Sequence, residues 1–150
     1  MKSILLAVFS LALFTSTAHA AEPELMAAVS VMGYGYKVKV LVNGADIGVE
    51  GGKSENRRLF NKGNDMAAQA APAIRAKNFV LVPGINEIAI EYARIDPKGT
   101  DSLEISMQAQ GYPQPVLSIT SKTRPADKLL LKVNLAPKAP ADFKPVVITQ

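Results

Sequence analysis

The chain holds one histidine, His19, and no cysteine, and His19 falls inside an N-terminal stretch patterned like a removable leader. Once residues 1–20 are gone, no imidazole or thiol remains. A Ser-His-Asp triad, a cysteine nucleophile, a histidine-based zinc site and thiol redox work are then excluded. Carboxylates, lysines, arginines and tyrosines are what is left for chemistry. A glycosidase needs two carboxyl groups about 5–9.5 Å apart. Glu87 and Glu91 share one face of a strand pattern, but four residues at about 3.3 Å each separate their Cα atoms by about 13 Å. Glu91 and Glu104 form a pair only if their strands are neighbours; otherwise both sit on a solvated face. The segment 96–101 offers Asp96 and Asp101 as oxygen ligands for a hard cation, yet its spacing is not that of an EF-hand, and Pro97 and Gly99 make it a simple turn. Asn61, Asn64 and Asp65 form a second oxygen-rich group of the same kind. No metal and no cofactor is expected, and the chain reads as a non-enzyme.

Binding is the better-supplied alternative. Residues 53–77 are the longest stretch without a strand pattern, and they carry Arg57, Arg58, Lys62, Arg75 and Lys77, with Lys53, against Glu55 and Asp65. A long basic loop beside a helix start suits a carboxylate, sulfate or phosphate; without a ligand it is a solvated insertion. Sugar surfaces stack rings on exposed aromatic side chains, which provide contact area at little entropic cost. Tyr34 and Tyr112, each next to glycine, are expected to be exposed, whereas Tyr36 and Tyr92 fall in register with buried positions. There is no tryptophan.

The leader has the three parts a secretory signal requires. Lys2 supplies the positive charge, residues 4–14 are apolar apart from Ser10, and Ala18-His19-Ala20 places small residues before a cut after Ala20. The apolar run is well short of the roughly 20 residues that span a bilayer, and no cysteine follows the cut to take a lipid. A single exported domain, 21–150, in the periplasm or secreted, is therefore expected, with no transmembrane segment. Loss of Lys2 lowers the formal net charge from +4 to +3. The twelve lysines and five arginines are scattered among thirteen acids, which is not the clustered basic face of a nucleic-acid binder.

Apolar and polar residues alternate with a period of two in several places, the mark of a strand with one buried face. Tyr36, Val38, Val40 and Val42 share a face; so do Ile88, Ile90 and Tyr92, and so do Leu103, Ile105, Met107 and Ala109. Weaker strand patterns lie at 25–32, 78–82, 115–121, 128–135 and 145–149, about eight in all. Asn43-Gly44, Pro83-Gly84, the 96–99 turn and Gly111-Tyr112-Pro113 separate them. One short helix is expected at 64–76, with Asn64 as N-cap and Pro72 as its limit. Strands joined by short turns without alternating helices predict an all-β, antiparallel two-sheet β-sandwich. The run 145–149 either closes a sheet or is donated to a partner.

Two phrases carry a family resemblance. Val40-Leu41-Val42-Asn43-Gly44-Ala45-Asp46-Ile47-Gly48, followed by Phe79-Val80-Leu81-Val82-Pro83-Gly84-Ile85-Asn86-Glu87-Ile88-Ala89-Ile90, resembles jelly-roll and immunoglobulin-like accessory domains of secreted bacterial proteins. The resemblance implies a domain that binds carbohydrate or another protein. Three functions are accordingly carried forward: a non-catalytic periplasmic domain engaging a protein or other cell-envelope macromolecule, a carbohydrate-binding module, and a small carboxylate-dependent glycoside hydrolase or lyase.

Overall fold

The strict alternation around Val40 folds as a strand whose odd-numbered neighbours in the pattern, Lys37 and Lys39, face solvent while Tyr36, Val38, Val40 and Val42 are buried. A computed structural model describes residues 22–64 and 69–150; residues 1–21, which include the expected leader, and residues 65–68 of the expected helix lie outside the described residues. The elements are β1 Met26–Met32, β2 Tyr36–Val42, β3 Ala45–Asp46, β4 Ser54–Phe60, α1 Pro72–Asn78, β5 Gly84–Arg94, β6 Leu103–Ala109, β7 Leu117–Ser121, β8 Ala126–Leu135 and β9 Val146–Thr149. They form two sheets, one ordered β4-β1-β6-β7-β9 and the other β3-β2-β5-β8. The all-β two-sheet sandwich is thus what the sequence pattern led us to expect. Pairing is antiparallel except between β7 and β9, which run parallel. The run 145–149 therefore closes a sheet at its edge and is not donated.

Between the sheets lies one apolar core that includes Val31, Tyr36, Val40, Ile90, Leu103, Ile105 and Ile119, all 1% exposed or less. Tyr36 and Tyr92 meet edge to face with centroids 5.9 Å apart, as their register with buried residues required. The two phrases of the family resemblance are stitched to each other by asparagines. Asn43 sits at φ +50° in its turn. Its side chain donates to the Val80 carbonyl (2.8 Å) and to Asn86 Oδ1 (2.9 Å), and accepts from the Glu87 amide (2.9 Å). Asn86 is fully buried; its Oδ1 also accepts from the Val82 amide, and its Nδ2 donates to the Val82 and Gly84 carbonyls. Buried polar atoms are tolerated here because each one is paired.

Three expectations are corrected. The stretch 53–77 is not one long loop: its first part is β4. Pattern reading misses it because the inward positions of that strand are Glu55, Arg57 and Leu59, so an ion pair of 3.1 Å between Glu55 and Arg57 stands where apolar residues would alternate. The helix begins at Pro72, where the sequence had it ending; proline at the first helical position fits because its missing N–H has no partner in the helix anyway. Residues 78–82 form no strand; beyond an isolated bridge between Asn61 and Leu81 they are held by side chains, with Phe79 stacked on Phe60 at 5.1 Å and Val80 and Val82 bonded to Asn43 and Asn86.

The last strand is held by a polar latch. Gln150 Nε2 donates to Asp127 Oδ2 at 2.8 Å, and Tyr92 donates from its hydroxyl to Gln150 Oε1. Arg124 pairs with the same carboxylate at 2.7 Å. The Gln150 hydrogen bond above all, then those from Arg124 and the Lys128 amide, hold the Asp127 carboxyl below its ordinary pKa. A depressed carboxyl contributes stability that is complete above the unfolded pKa and is lost as pH falls through the folded one. The melting temperature is therefore expected to fall below about pH 4. Asp127→Asn should lower it at neutral pH and flatten that acid limb; an unchanged limb would remove Asp127 from its cause.

Candidate functional site

The basic residues singled out in the sequence fall into separate groups rather than one cluster. Arg57 turns inward and donates to the Gly48 carbonyl at 2.7 Å as well as to Glu55, so it ties β4 to the chain between β3 and β4. Lys77 lies over Gly48, where an added methyl would meet it at 3.7 Å. Arg58 is exposed on the other side of β4, in register with Ala28. Lys62 and Arg75 share a depression of about 690 Å³ with Glu22, Asn43 and Phe79. Arg75 and Lys77 belong to the last turn of α1, not to its start; there they complement the negative end of the helix dipole. The helix start expected at Asn64 borders residues 65–68, which lie outside the described residues.

The tyrosines also separate. Tyr34 is 66% exposed at the β1–β2 turn, as expected. Tyr112 is only 6% exposed, contrary to expectation. Gly111, at φ +81°, brings the chain against Pro137, and the Tyr112 ring then packs edge-on against Phe143 with centroids 4.9 Å apart. Its hydroxyl donates to the Asn134 carbonyl (3.3 Å) and accepts from the Ala136 amide (3.0 Å). Next to glycine is a weak sign of exposure when the glycine itself creates the close approach.

The acids fare no better as a catalytic pair. Glu91 lies on β5 and Glu104 on β6, in different sheets, and Glu91 pairs instead with Lys128 at 3.4 Å. Asp96 accepts from the Lys98 amide at 2.9 Å within its own turn. Among the described residues no group of three or more acids gathers as for a metal ion.

What the fold does leave open is an edge. A sheet edge exposes unpaired N–H and C=O groups, and natural proteins shorten it, cover it or place charge on it. β3 is two residues long and β9 four. β4 has its inward ion pair, and Asn78 of α1 donates to the Arg58 carbonyl at 2.8 Å. β8 is ten residues long, lies at the end of its sheet and carries Leu129-Leu130-Leu131 at its centre.

The phase of the ladder can be read from its ends. The Arg94 amide donates to the Pro125 carbonyl at 2.7 Å and the Asn43 amide to the Glu87 carbonyl at 2.8 Å. Even-numbered residues of β5 therefore bond to β8, and odd-numbered ones to β2. On β8 it is Leu129, Leu131 and Val133 that bond to β5; Lys128, Leu130 and Lys132 aim their backbone groups away from the sheet. The Lys128 amide is taken by Asp127 Oδ1 at 2.8 Å, and the Asn134 carbonyl by Tyr112. Among the described residues, Leu130 and Lys132 stand open between these two caps.

No family model, no curated protein and no solved structure matches this chain.

The side chains along the edge complete the site. Leu130 is 64% exposed on the outer face, flanked by exposed Lys128 and Lys132. On the inner face Leu129 and Leu131 are only partly buried, as are Val146 and Ile148 of β9, although all four pack on the core. The sandwich is therefore open along the side where β8 and β9 end the two sheets. Sequence reasoning placed a strand at 128–135 without seeing its position. The available signal was three consecutive leucines between lysines, apolar on both faces of a strand that does not have neighbours on both sides.

Proposed function

We propose that this chain is an exported, non-catalytic interaction domain that binds an extended segment of a cell-envelope protein as an additional strand on β8. The observation that carries this reading is the edge between the caps at Lys128 and Asn134, open among the described residues, with outward backbone groups at Leu130 and Lys132 and the half-buried Leu129 and Leu131 beneath them. Strand addition supplies affinity through main-chain hydrogen bonds and specificity through alternate side chains. The leader pattern supports export to the periplasm or beyond, and the two stitched phrases support kinship with jelly-roll or immunoglobulin-like accessory domains. A glycan surface has less to stand on: among the described residues Tyr34 is the only exposed aromatic side chain. An acid-pair enzyme has less still, with Glu91 and Glu104 in separate sheets.

Photo-crosslinking in the native envelope tests the reading. A crosslinker at Lys128 is expected to capture a discrete protein partner, while one at Arg58, on the far edge strand, captures none. Capture through Arg58 alone, or no capture together with turnover of a substrate by the purified protein, rejects it.

A further inference from the structure

The partner's sequence pattern is written on the other side of β8. Along β5 and β8 the register is Glu87 to Lys132, Ile88 to Leu131, Ala89 to Leu130, Ile90 to Leu129 and Glu91 to Lys128. Five residues, Lys-Leu-Leu-Leu-Lys, thus face five others, Glu-Ile-Ala-Ile-Glu, and the Glu91–Lys128 ion pair shows the charges meeting across the strands. The open side of β8 presents the same five side chains to whatever lies there. Lys128, Leu130 and Lys132 are on the outer face; Leu129 and Leu131 are on the inner face, level with the half-buried Val146 and Ile148.

We infer that β8 selects an antiparallel segment with two acidic residues four positions apart and three apolar residues between them. This rests on the strand-addition reading and gives it a substrate class. Two apolar side chains of the segment cover Leu129 and Leu131 and close the open side of the sandwich. The third lies beside Leu130, and the acids fall opposite Lys132 and Lys128, so that each lysine stands between two carboxylates.

The same arrangement disfavours a second copy of this chain. Two β8 strands paired antiparallel about Leu130 place Lys128 of each opposite Lys132 of the other. Like charges directly opposite destabilise a strand pair by about as much as opposite charges stabilise it. The lysines therefore keep a long apolar edge from pairing with itself and admit an acidic strand.

A labelled peptide with the sequence of residues 85–93, Ile-Asn-Glu-Ile-Ala-Ile-Glu-Tyr-Ala, is a direct probe. It is titrated into the protein by fluorescence anisotropy beside a second peptide carrying lysine in place of both glutamates. The acidic peptide is expected to bind about tenfold or more tightly than the basic one, from two positions that change from opposite to like charge. The preference should shrink with added salt. Lys128→Gln with Lys132→Gln, which removes charge without creating repulsion against Glu87 or Glu91, should bring the two affinities together. Equal binding of both peptides to the unaltered protein overturns the acidic rule while leaving strand addition standing. Binding of neither peptide overturns the rule too, and the Lys128 crosslinks then decide separately whether β8 docks a partner. Sedimentation of the unaltered protein as a dimer that Leu130→Pro dissociates, or that the glutamine pair weakens, overturns the exclusion of a second copy.

Discussion

Leu131→Pro is expected to unfold the domain or lower its stability by about 3 kcal/mol or more, whereas Leu130→Pro, one residue away, should leave it folded and abolish strand docking. The difference follows from the ladder phase. The Leu131 amide points to β5, opposite Ile88. Proline there removes a ladder donor and leaves a carbonyl in the sheet interior unpaired, which costs about 1–3 kcal/mol before the lost packing of a core-contacting leucine is counted. The Leu130 amide points outward, and proline is tolerated on an edge strand when its missing N–H faces solvent. Its fixed φ and the lost Leu130 side chain, already exposed, should cost only about 1 kcal/mol. That substitution removes the backbone donor a docked strand needs. Thermal melting and capture at Lys128 are the two readouts. If Leu130→Pro melts as early as Leu131→Pro, the assigned phase is wrong. If it docks the partner or the acidic peptide undiminished, β8 is not the site.

Gly51→Ala should destabilise the fold by about 3 kcal/mol or more, and Gly52→Ala by only about 1 kcal/mol. Both residues have positive φ, +83° and +73°, so each substitution bears the cost of a left-handed backbone for an L-residue. They differ in what a methyl group would meet. At Gly52 nothing lies within 4 Å; at Gly51 the new Cβ would fall 2.2 Å from the Tyr36 carbonyl oxygen and 3.0 Å from the Val38 amide. Neither neighbour is a side chain that can turn away. Gly51 bridges to Lys37, and its amide donates to the buried Glu55 at 2.8 Å, so moving it disturbs β2 and the inward ion pair of β4 together. For a domain of this size, 3 kcal/mol corresponds to a fall of about 10 °C in melting temperature. Equal melting of the two variants would falsify the steric account and leave φ strain alone.

The fold was legible where one face of a strand is buried against a uniform apolar core. In β2, β5 and β6 the alternation of side chains transmits burial to sequence directly. It failed where the inward side chain is charged, as Glu55 and Arg57 are in β4, because there burial is compensated by an ion pair and by the bonds of Arg57 to Gly48. It failed again at Pro72, whose residue type suits the start of a helix as well as its end. Tyr112 was misplaced because the contact of Gly111 with Pro137 joins segments more than twenty residues apart.

The absence of imidazole and thiol after residue 20, the acidic and basic balance, and the strand-and-turn rhythm of a sandwich belong to the sequence alone, since they depend on residue type and local spacing. Tertiary structure decided the rest. It divided Glu91 from Glu104 by assigning their strands to different sheets, and it set Arg57 and Lys77 at Gly48, Lys62 and Arg75 in a shared depression, and Arg58 apart from both. It also set β8 at an edge with Leu130 and Lys132 facing outward. Whether a strand is central or terminal depends on which distant strands pair with it, and no local pattern records that pairing.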